Sequence, residues 1–130
     1  MPVHYASTPA TLPFSEAVRD GGLLFVSGQI GNLPGTLELV PGGLAAEAAR
    51  ALENMRAILE RHGSSMGDVL KCTVFLADMN DWGDFNAVYR RAFPERLPAR
   101  SALGSSGLAL GARVEIECIA HVPDGDGLAR

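Results

Sequence analysis

Between Leu44 and His62 the apolar side chains Leu44, Ala48, Leu52, Met55 and Leu59 recur at helical spacing, while Glu47, Arg50, Glu53, Arg56 and Glu60 mostly fall off that stripe. A helix with one apolar stripe has to bury it against another layer, and this decides which folds are open to the chain. Gly63, directly after His62, supplies the left-handed residue at which many helices end. Burying the stripe contributes about 1.5 to 3 kcal/mol for each large side chain, far more than helix propensity does.

The partner layer is legible as alternating runs. Glu16 to Arg19 and Leu23 to Ile30 predict two strands joined at Asp20-Gly21-Gly22, because Asp-Gly accepts the positive φ of a tight hairpin. Gly31 to Gly43 mixes glycine and proline without a period and predicts a loop. After a turn at Ser64 to Asp68, Val69 to Ala77 is a β run rich in branched and aromatic residues. Asp81 to Phe93 predicts a second helix, with Trp82, Phe85, Val88, Tyr89 and Ala92 on one side and Pro94 closing it. Leu97 to Leu103 is extended, since Pro98 biases its neighbour away from helix. The small-residue stretch Gly104 to Gly111 leads to a last strand at Ala112 to Val122, and Pro123 to Arg130 is expected to fray.

The order β-β-α-β-α-β-β implies an α+β fold: a single sheet with both helices on one face and weak internal duplication. At 130 residues the chain has room for one domain, 1–130, around one core. If Val26, Val74, Val114, Ile116 and Cys118 face the helices, the other face shows Phe25, Ser27, Gln29, Lys71, Thr73, Phe75, Arg113, Glu115 and Glu117. Phenylalanines among polar groups suit a wet subunit interface, with a partly hydrated sheet face as the alternative.

A net charge of -4 without a basic block makes nucleic acid a poor default partner. No apolar run is long enough to span a bilayer, and Met1-Pro2-Val3-His4 lacks the regions of a signal peptide, so the expected compartment is the cytoplasm. Cys72 and Cys118 sit in apolar runs and read as buried small hydrophobes, a disulfide being the alternative. Metal-ligand spacings, phosphate loops and the dinucleotide fingerprint are absent, so neither metal nor cofactor is expected. His4, His62 and His121 have no obvious nucleophile partner, and Ser105-Ser106-Gly107 is either an anion cradle or a flexible connector.

Two side chains remain open to chemistry. Arg100 follows a segment stiffened by Pro98 and is either a surface ion-pair partner or a planar clamp for a carboxylate. Glu115, in a strand amid apolar residues, is either an interface charge or a general acid/base.

Leu97-Pro-Ala-Arg-Ser-Ala-Leu103, followed by Arg113-Val-Glu-Ile-Glu-Cys-Ile-Ala120, resembles the C-terminal signature of the Rid family (reactive intermediate deaminases, also called the YjgF or L-PSP endoribonuclease family). Val26-Ser-Gly-Gln-Ile30, Leu52-Glu-Asn-Met55, Val69 to Asp78 and Phe85-Asn-Ala-Val-Tyr89 agree in order and near-family spacing. The resemblance implies a fold like that of the trimeric chorismate mutases, a homotrimer with clefts between subunits, and cofactor-free hydrolysis of 2-imino or 2-enamino acids, such as 2-iminobutanoate and 2-iminopropanoate, to 2-oxo acids and ammonia. It implies that Arg100 binds the substrate carboxylate and Glu115 positions or activates water, with Ser27, Gly28 and Ala102 lining the site. Asn86 either shapes the cleft or is a helix-surface polar residue.

Three departures bear on rate and preference. Leu12-Pro13-Phe14-Ser15 replaces the family's Gly-Pro-Tyr-Ser, so the phenol that often reaches the site becomes Phe14, which packs but cannot donate. Ala102 replaces a common cysteine and removes thiol chemistry there. Gly104-Ser-Ser-Gly107 is richer in glycine than usual, which implies a wider or looser wall. Two other readings stand beside the deaminase: a non-catalytic trimer binding 2-oxo acids or a protein, and an endoribonuclease, which the acidic balance disfavours.

Overall fold

A computed structural model describes residues 2–9 and 11–123; the expectation of fraying beyond Pro123 lies outside the described residues. Six strands, β1 (His4–Ser7), β2 (Ser15–Asp20), β3 (Leu23–Gln29), β4 (Val69–Leu76), β5 (Ala99–Gly104) and β6 (Val114–His121), form one sheet in the order β1-β2-β3-β6-β4-β5. Helices α1 (Leu44–Arg61) and α2 (Trp82–Ala92) cover one face. All pairs are antiparallel except β4 with β5, which run parallel because α2 carries the chain back between them. No helix among the described residues is long and apolar enough to cross a membrane.

The α1 stripe is buried as expected, Leu44, Ala48, Leu52, Met55 and Leu59 all facing the core, joined by Ala51 and Ile58. Val26, Val74, Val114, Ile116 and Cys118 meet them from the sheet. Gly63 takes φ +82° just past the helix. Cys72 and Cys118 are direct partners across β4 and β6, both buried and free.

Five expectations need correction. The edge strand β1 is additional: its residues His-Tyr-Ala-Ser are mostly exposed and carry no alternating signature, so only pairing with β2 defines it. A bulge interrupts β3 between Val26, opposite Cys118, and Gln29, opposite Ile116; the extra residue takes Gln29 off the open face. Glu47 lies off the apolar stripe yet is buried, because its Oε1 accepts the Arg113 backbone N–H at 2.9 Å and ties α1 to the start of β6. Arg113 precedes β6 and reaches back toward Glu47, Nε to Oε2 4.0 Å, instead of standing on the open face. On α2, Phe85, Val88 and Tyr89 are buried, but Trp82 at the first turn is 46% exposed.

The open face is patterned by cross-strand register. Tyr5, Val18, Phe25 and Ile119 make an apolar row across β1, β2, β3 and β6. Glu117 stands opposite Thr73, and Glu115 opposite Phe75 and then Leu103.

Candidate active site

β5 is an edge strand, with Arg100 and Ala102 on its half-buried side and Ser101 and Leu103 on the exposed one. Parallel register sets Arg100 beside Cys72, itself paired with Cys118, so Arg100 belongs to the helix-side face. There its guanidinium carbon lies 4.8 Å from the Tyr89 ring centroid, 5.8 Å from that of Phe85 and 5.9 Å from that of Trp82. Arg100 makes no hydrogen bond or ion pair among the described residues. Its in-plane donors are therefore open to a bidentate anion.

Tyr89 and Cys72, both beside Arg100, are uncharged at neutral pH. Burial chiefly, assisted by the Cys72 thiol, pushes the Tyr89 phenol far above its usual value, and the buried hydroxyl has no well-directed hydrogen bond among the described residues. Burial likewise pushes the Cys72 thiol up to about 11, against opposing contributions from Tyr89 and Arg100. Such a thiol stays protonated and inert at neutral pH. Asn86, one turn before Tyr89 on α2, buries an Oδ1 that also lacks a partner among the described residues. Ala102 packs against the core two residues after Arg100.

Glu115 occupies the other face. Its side chain lies directly over Gly28: a Cβ added there would stand 2.8 Å from Glu115 Cδ and 3.0 Å from Cγ, and would collide with Oε2. The missing side chain in the β3 bulge is thus what lets the carboxylate settle on the sheet. Burial, and then repulsion from Glu117 on the same face, raises the Glu115 carboxyl above its ordinary range. Ser27 donates its hydroxyl to Ser15 O at 2.6 Å, fixing the bulge against the start of β2, and half-exposed Phe14 immediately precedes Ser15.

The sequence-predicted residues therefore fall into two groups. Arg100, Ala102 and Asn86 gather at the edge formed by β5 and α2, whereas Glu115, Gly28, Ser27 and Phe14 belong to the bulged β3 and its surroundings. Arg100 and Glu115 project from opposite faces of one sheet, so a site using both requires a second chain. Sequence reading missed the Trp82, Phe85 and Tyr89 surface against Arg100. Their spacing of three and four residues was the available signal, but it reads equally as a core stripe.

A family described as Endoribonuclease L-PSP matches residues 5–122. The chain is 46% identical over 113 residues to 2-iminobutanoate/2-iminopropanoate deaminase of Mus musculus, covering 86% of this chain and 84% of the mouse protein. It is 42% identical over 116 residues to the Homo sapiens protein of the same name, covering 88% and 85%. Among solved structures, RidA from the Antarctic bacterium Psychrobacter superposes with a TM-score of 0.85 at 36% identity, covering 92% of this chain and 99% of that one. TdcF of E. coli with bound serine superposes at 0.83 and 36% identity, covering 91% and 98%. The architecture is the chorismate-mutase-like α+β fold. With the match running from the first strand to the end of the last, the chain belongs to the endoribonuclease L-PSP family, the Rid family.

Proposed function

We propose that this protein is a cofactor-free deaminase that hydrolyses reactive 2-imino and 2-enamino acids in clefts between the protomers of a cytoplasmic homotrimer. The observation that carries the reading is a half-buried guanidinium with no anionic partner among the described residues, in a protein whose relatives bear the imine deaminase name. Arg100 takes the substrate carboxylate in two parallel hydrogen bonds and thereby fixes the imine carbon. Glu115 of a neighbouring protomer accepts a proton from water as the oxygen bonds to that carbon and returns it to the imine nitrogen, giving the carbinolamine. The carbinolamine hydroxyl proton then passes by the same carboxylate to the amine nitrogen as the C–N bond breaks, releasing ammonia and leaving the 2-oxo acid. A carboxyl with a raised pKa can both take and return that proton. Gly28 and Ala102 offer backbone groups to the ligand, Ser27 holds the bulge, and Asn86 and Phe14 complete the wall. The apolar row Tyr5, Val18, Phe25 and Ile119 supports burial of the open face against other copies.

The test generates the imine from threonine or serine with a dehydratase and follows 2-oxo acid release above the spontaneous rate. Wild type accelerates release and Arg100→Ala does not; equal rates overturn the reading. A second reading, a non-catalytic 2-oxo acid binder, is favoured by Phe14, which has no hydroxyl to donate. It predicts ligand binding that depends on Arg100 with no acceleration at all.

A further inference from the structure

Among the described residues Arg100 is held without being neutralised. The three rings nearest its guanidinium sit at Trp82, Phe85 and Tyr89, a spacing that puts them on one face of α2. A ring face attracts a cation through its quadrupole and leaves the in-plane N–H donors unoccupied. A carboxylate in the same place would occupy those donors and compete with any anionic ligand. Tyr89 is the nearest ring, its centroid 4.8 Å from the guanidinium carbon, so its aromatic face is what the arginine meets. Phe85 and Tyr89 are both buried and pack together in the core, Phe85 at the greater distance from the guanidinium, while Trp82 is 46% exposed at the mouth of the same cluster.

We infer that Tyr89, with Trp82 beside it, is a positioning platform for Arg100: the two rings fix the guanidinium plane and stabilise its charge while keeping its hydrogen-bonding edge open to the ligand carboxylate. The inference rests on the reading of Arg100 as the carboxylate anchor. Neither ring is a catalytic residue; each acts through the arginine. Loss of a platform ring therefore weakens binding of substrate and transition state alike, raising KM with kcat little changed.

The experiment measures kcat and KM in the dehydratase-coupled assay and the Kd of 2-oxobutanoate by calorimetry. The variants are Tyr89→Leu, Tyr89→Phe, Trp82→Ala, Trp82→Phe and Arg100→Ala, each checked for folding. Tyr89→Leu is expected to raise KM and Kd about five- to thirty-fold, the scale of a desolvated cation–π contact. Trp82→Ala, at an exposed ring, raises them about two- to five-fold. Both phenylalanine variants recover most of the loss. A folded Tyr89→Leu with wild-type KM overturns the inference, as does a Tyr89→Phe as impaired as Tyr89→Leu, which would assign the role to the hydroxyl. Should Tyr89→Leu fail to fold, Trp82→Ala decides, and wild-type affinity there overturns the platform. If Arg100→Ala itself binds and turns over like wild type, the functional reading fails and the platform fails with it. Impaired Arg100→Ala beside unimpaired Tyr89→Leu and Trp82→Ala sinks the platform alone.

Discussion

A carboxyl with a raised pKa leaves two signatures at Glu115, one in activity and one in stability. As a base it works only when ionised, so kcat/KM falls on the acid side as pH drops through the raised value. Glu115→Gln is expected to lower kcat by about 10²- to 10⁴-fold and to abolish that limb of the pH–rate profile. In stability the folded chain holds this proton more tightly than the unfolded one. The resulting contribution is complete below the unfolded pKa and is lost as pH rises through the folded value. Thermal unfolding should accordingly find Glu115→Gln gaining on wild type at neutral pH and not at acid pH. Tyr89 provides a second check at this scale. Removing its unsatisfied buried hydroxyl by Tyr89→Phe should raise stability by about 1 kcal/mol in urea unfolding, because the cost of a desolvated polar group disappears while the ring remains.

Among elements, the junction of α1 with the chain leaving β3 is closely packed, backbone against backbone. A Cβ on Gly31 would stand 2.6 Å from Glu47 O and 2.7 Å from Glu47 Cα, and the helix backbone cannot step aside. Asn54 of α1 holds the same segment, donating its Nδ2 to Ile30 O at 3.1 Å and Asn32 O at 3.0 Å. Gly31→Ala should therefore cost about 1 to 3 kcal/mol, read as a lower urea midpoint. Gly83, inside α2 with open space where a Cβ would go, should behave oppositely, Gly83→Ala raising the midpoint through a gain of about 0.5 to 1 kcal/mol. Legibility in sequence followed the strength of periodicity. α1 was readable from its stripe, and β4 from its branched and aromatic alternation, because each buries one face. The four-residue β1 was not, since an edge strand with exposed side chains owes its existence to the neighbour it pairs with.

For the whole molecule, opposite placement of Arg100 and Glu115 means that a site using both draws on two chains. In the proposed homotrimer, mixing Arg100→Ala with Glu115→Ala protomers, each inactive alone, should restore activity on exchange, because every mixed ring of three would contain one cleft with both residues intact. Equal mixing is expected to recover about a quarter of wild-type activity, given cyclic head-to-tail interfaces. No recovery after verified exchange would show that the two residues do not share a cleft. The sequence by itself determined the layer pair and the element order apart from β1, since these depend on local period and residue type; Arg100 and Glu115 came forward only through the family resemblance, each being otherwise readable as an ion-pair partner or an interface charge. Tertiary structure alone decided that the two lie on opposite faces, that a bulge at Gly28 gives Glu115 its seat, and that aromatic rings rather than an acid accompany Arg100. Those outcomes depend on strand register and on which elements become neighbours, and a one-residue shift in register reverses every face without altering the composition of either strand.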